Sequence, residues 1–246
     1  MGKATWKGAA KMVSRWRHQG KTRALNEAII EQDELQLIDA VAANHTQLTA
    51  TVKAVRASSQ LRNADVTAIN TQVNALQSSV KKAIGRFRKL NRATLKQEKT
   101  YTKIPGRIPF TRIVSGVSQY GLNTENIEKV LRDRGVNPQV FMAEEKKLLE
   151  RHKTARDALQ KVRAIVDGNV VGARDALRRL PVITGATAWP IPFAKGSSQI
   201  DQRLKSLEDA LDNATLKADI KIAEDAQHEA LKDMQGIIAA SRKMWA

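Results

Sequence analysis

Apolar residues recur at alternating spacings of three and four through residues 34–94. One heptad position reads Ile38, His45, Val52, Ser59, Val66, Val73, Val80 and Phe87. The other reads Val41, Leu48, Val55, Arg62, Ile69, Leu76, Ala83 and Leu90. The register holds without a slip and no proline interrupts it, which predicts one long helix of the coiled-coil type. At the α-helical rise such a helix would be on the order of 80 Å long. His45, Ser59 and Arg62 place polar groups in the seam. Two readings of them stand: residues that fix register or partner number, and points where the helix is not paired along its full length.

Beyond this stretch the pattern breaks and resumes. Pro105, Gly106 and Pro109 lie in the segment 104–110 and end any helix there. A small helical unit is expected over 111–135, with Asn123 or Thr124 as N-cap, Glu125 and Glu128 in its first turn, and Gly135 and Pro138 as its stop. In outline this unit resembles a helix-turn-helix, with Gly121 as the turn glycine and Tyr120, Leu122, Ile127 and Val130 in the apolar places. It departs at Gly116 and Val117 in the first helix, and its second helix is too acidic to read DNA. A plain helical hairpin fits better.

A further helix is predicted from Gln139 to about Leu180 through Val140, Leu148, Leu159, Val162, Val166, Val170 and Leu177, with Gly168 and Gly172 as points of interruption. Residues 181–199 read as a Pro/Gly-rich loop whose Ile191-Pro192-Phe193 repeats Ile108-Pro109-Phe110. Such an apolar loop is expected to tuck against its own protein. Over 200–244 one stripe (Ile200, Leu204, Leu207, Leu211, Ala214, Ala218) gives way to another (Ile220, Ala223, Gln227, Ala230, Met234, Ile237, Met244), which predicts a kink or a local change of supercoil.

The fold class is therefore all-α: an extended helical protein with a long coiled-coil-like helix and a smaller helical bundle. Its expected segments are a basic amphipathic N-terminal arm (1–23), the long heptad helix with a basic C-terminal end (24–103), a loop and small helical hairpin (104–138), a helix (139–180), the Pro/Gly-rich loop (181–199) and a C-terminal helix (200–246). Val66, Ile69, Val73, Leu76, Val80, Phe87 and Leu90 line the most regular part of the seam, and self-association is expected to run through them.

Composition narrows the chemistry. Apolar residues make up 42% of the chain but aromatics only 4%, which suits helices better than a ring-packed enzyme core. The absence of cysteine excludes disulfides, thiolate nucleophiles and thiolate zinc sites. No apolar run is long enough to span a bilayer, and the N-terminus lacks the apolar stretch of a signal peptide, so a soluble protein is expected.

The net charge of +17 changes the picture most, because its excess sits in blocks. Residues 1–23 sum to +7, 81–113 to +10 and 151–180 to +5, while the intervening stretches are slightly acidic. Segregated blocks suggest dedicated contact surfaces for an anionic partner. In the first block Lys3, Lys7, Lys11 and Arg15 share one helical face, opposite Trp6, Met12 and Trp16. Three readings compete for it: docking on its own protein, a basic arm on nucleic acid, and a helix on an anionic membrane. The second block is the stronger phosphate-binding candidate. It comprises Lys81, Lys82, Arg86, Arg88, Lys89, Arg92, Lys96, Lys99, Lys103, Arg107 and Arg112 against Glu98 alone, more cations than a helix C-terminus calls for.

Catalytic constellations are absent from the pattern. His18, His45, His152 and His228 are far apart, and no HExxH, P-loop, GxGxxG or GxSxG occurs. No catalytic residue, metal site, cofactor or small-molecule substrate is expected. The aromatics are scattered, so nucleic-acid binding would run through phosphates and ignore sequence.

These readings imply a non-enzymatic structural or assembly protein, with a virion component (phage or viral nucleocapsid, internal or shell protein) as the most economical setting. Its partners would be nucleic acid, further copies of itself and other virion proteins. The alternative is a membrane-surface or translocation protein using the Trp-bearing N-terminal helix. A third reading is a helical adaptor for acidic proteins.

Overall fold

A computed structural model describes residues 35–103, 132, 137–183, 185 and 189–245, with the backbone alone at 91–103, 138, 141–142, 144–145 and 236–245. The described chain is helical almost throughout, as expected of an all-α protein. Helix α1 covers residues 35–58 and is followed by a two-residue strand β1, Gln60–Leu61. Helix α2 is Asn63–Lys103 and α3 is Pro138–Ile165. A π-helical turn, Val166–Val170, leads into α4, Val171–Arg178, and a single helical turn α5, Leu180–Ile183. Strand β2, Ile191–Pro192, precedes α6, Gln199–Leu211, and α7, Ala214–Trp245.

The stretch read as one helix over 34–94 is two helices joined by a reversal. Ser59 takes a left-handed conformation (φ 53°), as at many helix C-termini, and ends α1. Arg62 then caps α2: its N–H donates to the Asp65 carboxylate at 2.9 Å and its carbonyl accepts from the Asp65 and Val66 amides. Asn44 on α1 donates to Ser79 Oγ on α2 at 3.3 Å, and the midpoint of that pair falls in the turn, as an antiparallel hairpin requires. The heptad register survives because the step from Ser59 to Arg62 is itself one three-residue spacing. The pattern therefore continues across a turn that reverses the chain. Of the three polar seam residues, Ser59 and Arg62 mark that turn.

Residues 35–87 and 154–226 form one compact unit. Its core takes Ile38, Val41, Leu48, Val52 and Val55 from α1, and Val66, Ile69, Val73, Leu76, Val80, Ala83, Ile84 and Phe87 from α2. Leu159, Val162, Val166, Val170, Ala173 and Leu177 enter from the α3–α4 arm, and Leu204, Leu207, Leu211, Leu216, Ile220 and Ala223 from α6–α7. The seam expected to carry self-association is thus packed within the chain's own core. Val66, Ile69, Val73, Leu76, Val80 and Phe87 are each no more than 9% exposed within a single chain. A side chain already packed in its own core has no surface to offer a second copy. Leu90 is likewise buried, at 8%.

The C-terminal helix divides at Asp212–Asn213, ahead of the shift of stripe expected between Ala218 and Ile220: Ala214 and Ala218 are exposed, and Leu216 is buried instead. Asp212 closes α6, and Asn213 caps α7 by accepting from the Leu216 amide at 3.0 Å. The division is a kink, because both pieces lie along the same arm: α4 packs on α6, and Lys161 of α3 meets Asp219 of α7 at 3.7 Å. His45 lies beside the kink, where its Nε2 donates to the Leu211 carbonyl at 2.8 Å. That carbonyl belongs to the last turn of α6 and has no partner within its helix, so the seam histidine serves as a C-terminal cap.

At one end of this unit the turn at 59–62 is tied to the loop before α6. β1 pairs antiparallel with β2, Gln60 opposite Pro192 and Leu61 opposite Ile191, and the Phe193 amide donates to the Ser59 carbonyl at 3.0 Å. Phe193 is buried, so the Ile191-Pro192-Phe193 loop tucks onto its own protein as expected. The other Ile-Pro-Phe, at 108–110, lies outside the described residues, as do the N-terminal arm and nearly all of the 111–135 unit.

Below this clasp Arg56 joins α1 to α6. Its guanidinium donates to Asp201 Oδ1 at 3.0 Å and also to Glu208. Asp201 is 2% exposed and accepts in addition from the Gly196 amide at 2.8 Å. Gly196 reaches that position with φ 84°, which glycine adopts without strain. The Arg56 guanidinium, then the Gly196 amide, hold the Asp201 carboxyl below its ordinary value of 3.8. A depressed carboxylate contributes stability above its unfolded value and loses it as pH falls through the folded one. The urea midpoint should therefore be insensitive to this group from neutral pH to about pH 5, then fall below about pH 4. In Asp201→Asn that acid-limb decline should be shallower. A variant profile parallel to wild type below pH 4 would remove Asp201 as its source.

The second compact unit gathers the described residues among 88–153 and 227–246. Leu90, Leu148, Ala230 and Met234 are buried in it, together with the polar His152, Gln227 and Asp233. Arg151 approaches Asp233 at 3.9 Å.

Candidate nucleic-acid interface

The part of α2 that carries the basic block is helical because it holds good helix formers and a regular apolar face. Val80, Ala83, Ile84, Phe87 and Leu90 fill that face and are buried. The opposite side presents Lys81, Lys82, Gly85, Arg88 and Lys89, all exposed, with Arg86 half-buried at the margin. Between Asp65 and Glu98 the helix contains no acidic residue. None of Lys81, Lys82, Arg88 and Lys89 forms an ion pair among the described residues.

The third basic block, 151–180, is treated differently by the fold. Arg156 pairs with Asp157 at 2.6 Å, Arg163 with Asp167 at 3.1 Å, and Arg174 with Asp175 at 2.6 Å. Lys161 meets the buried Asp219. Arg178 and Arg179 stay exposed. Cations and carboxylates are thus interleaved in this block, and Asp219 and Asp233 approach it from outside. The exposed side of α2 carries no acidic residue of its own beside its cations, which makes α2 the denser cationic surface.

The π-helical turn has one electrostatic effect on that surface. It aims Asp167 at α2, where the carboxylate accepts from Gln77 Nε2 at 2.6 Å. Burial pushes the Asp167 carboxyl up, but the bonds from Gln77 and Arg163 and the field of Lys81 outweigh it and hold the group low. Asp167 therefore stays charged near Lys81 and offsets part of one cation. Lys82, Arg88 and Lys89 are exposed and form no ion pair among the described residues.

Of the other residues expected to contact phosphates, Arg92, Lys96, Lys99 and Lys103 also belong to α2, in the part where the backbone alone is described. Arg107, Arg112, Lys3, Lys7, Lys11 and Arg15 lie outside the described residues. No group of three or more His, Asp or Glu side chains with metal-binding geometry occurs among the described residues. No described helix is long and apolar enough to cross a membrane.

The chemistry available on α2 is that of compact and planar cations over a hydrated surface. Such a face neutralises phosphate charge and reads no bases. Reading the block as cations spread around the helix missed Gly85, which sits in the middle of the exposed side. The signal was present in the spacing, since Lys81, Lys82, Arg88 and Lys89 stand three or four residues from it on either side. No protein-family model, curated protein or solved structure matches the chain.

Proposed function

We propose that this chain is a non-enzymatic structural protein that binds nucleic-acid phosphates through the exposed basic side of α2, without sequence preference. A nucleoprotein assembly such as a virion is the setting this reading favours. The observation that carries it is the contrast between two basic blocks of one fold. In 151–180 several cations pair with carboxylates, whereas Lys81, Lys82, Arg88 and Lys89 are exposed and form no ion pair among the described residues. Four like charges within nine residues repel one another, so leaving them unpaired is unfavourable for the free protein and favourable once an anion arrives. The assembly component of the proposal calls for surfaces other than the α2 seam, which the chain's own core occupies.

The test is binding of a random-sequence duplex, followed by fluorescence anisotropy from about 50 to 200 mM salt. Wild type should bind tightly at low salt and lose orders of magnitude across that range. Replacing Lys81, Lys82, Arg88 and Lys89 together with Gln should weaken binding at least about a hundredfold and lower the salt slope by about 3 to 4. Scrambled duplexes should bind alike. A quadruple variant with wild-type affinity and slope would remove α2 as the interface.

A further inference from the structure

Gly85 is an anomaly inside its own helix. It lies in the interior of the 41-residue α2, where glycine is less favourable than alanine because it loses more backbone freedom on folding. Its backbone is not left-handed, and a Cβ built on it would meet nothing within 4 Å. Neither conformation nor packing within the chain therefore calls for glycine at this position. Gly168 and Gly172 are equally open, but Gly168 lies within the π-helical turn and Gly172 just after it, where an irregular backbone gives a local reason. Gly85 has no such irregularity beside it.

On an α-helix the residues surrounding position i are i±3 and i±4. For Gly85 these are Lys82, Arg88, Lys81 and Lys89, all four exposed and cationic. The result is a spot without a side chain, ringed by positive groups on long flexible stems. A small anion there reaches the helix surface closely while two to four donors fold over it. Phosphate has the size and charge for this arrangement, and Arg88 can take two of its oxygens in a fork.

The surroundings favour nucleic acid over a lipid headgroup. A helix on a membrane surface inserts an apolar face, and the apolar face of α2 is buried. The large apolar side chains that are exposed among the described residues, Val140, Val182, Ile183 and Ile222, belong to other helices.

We infer that Gly85 is the seat of a nucleic-acid backbone phosphate, kept free of a side chain so that the phosphate lies against α2 between Lys81, Lys82, Arg88 and Lys89. The inference rests on the reading of α2 as the nucleic-acid interface and adds to it one point of close approach.

Gly85→Ala and Gly85→Gln, with all four cations intact, separate the two ideas. Both variants should melt at or above the wild-type temperature, because alanine and glutamine are better helix formers. Duplex affinity should fall with side-chain size, reaching about tenfold for Gly85→Gln, with the salt slope lowered by about 1. Ala64→Gln, an added side chain at an exposed position near the start of α2, should change nothing.

If Gly85→Gln binds like wild type while the quadruple Gln variant does not, the basic side stands and the seat is wrong. If neither set of changes alters duplex binding, both readings fall. Loss of binding to phosphatidylserine vesicles by Gly85→Gln, with duplex binding unchanged, would also overturn the inference and assign the notch to lipid.

Discussion

Replacing Leu76 with aspartate should unfold the chain rather than dissociate an assembly of it. Leu76 is fully buried among the seam residues of α2, in a unit built from a single chain. The substitution removes a large apolar side chain, which by itself costs about 2 to 5 kcal/mol. It also places a carboxylate at a position fully withdrawn from water. Together these approach or exceed the roughly 5 to 15 kcal/mol by which a domain is stable. The far-ultraviolet helical signal should fall sharply at room temperature and the urea transition should vanish or move to very low concentration. Val73→Asp should behave the same way, because Val73 is equally buried. A Leu76→Asp chain that keeps wild-type helicity and halves its mass in solution would instead return the seam to self-association.

Arg56→Ala should cost about 3 to 5 kcal/mol, far more than truncating a surface arginine. The reason lies with the partners it leaves behind. Asp201 would keep the Gly196 amide but lose its countercharge while 2% exposed, and Glu208 would lose the same donor. Arg56→Lys should recover only part of the loss, because an ammonium cannot fork across two carboxylates as a guanidinium does. Combining Arg56→Ala with Asp201→Asn should cost less than the sum of the single changes, since the buried charge that makes the first so damaging is gone. Simple additivity in thermal or urea melts would show that the clamp does not act as a unit.

How far the sequence reaches can be traced residue by residue. The apolar positions of α1 and α2 were legible one by one, because burial on a helix follows the period of three and four whichever way the chain then turns. The reversal at Ser59 was not legible from that period, since the connection occupies a single heptad step. Its signals were chemical ones: polar Ser59 and Arg62 in the seam, and Asp65 three residues after the cap. The shift of stripe announced a break in the C-terminal helix but put it after Ala218 rather than at Asp212 and Asn213, where the polar pair was the better signal, and Gly168 and Gly172 did mark an irregular turn. The Arg56–Asp201–Glu208 clamp left no trace, because its members are distant in sequence and each reads as a surface charge until the loop at Gly196 folds over them. For the interface, the charge block was plain, and so were the local pairs of 151–180 with Asp157, Asp167 and Asp175; the approach of Asp219 to Lys161 and of Asp233 to Arg151 depends on the fold, and composition cannot supply it.

The pairing of Gln60–Leu61 with Ile191–Pro192 bears on how the chain can be divided. Residues 181–199 have the composition of a linker, and on that ground they are where one would cut the chain or insert a second protein. Yet the middle of this segment is anchored by a ladder, by the buried Phe193 ring and, a few residues on, by the Gly196 amide on Asp201. A nick there would yield two polypeptides that stay together, because each lacks helices the other needs to cover its apolar face. The α1–α2 hairpin and the α6–α7 arm are thus complementary fragments of one object, and the segment between them is a rivet in the guise of a hinge.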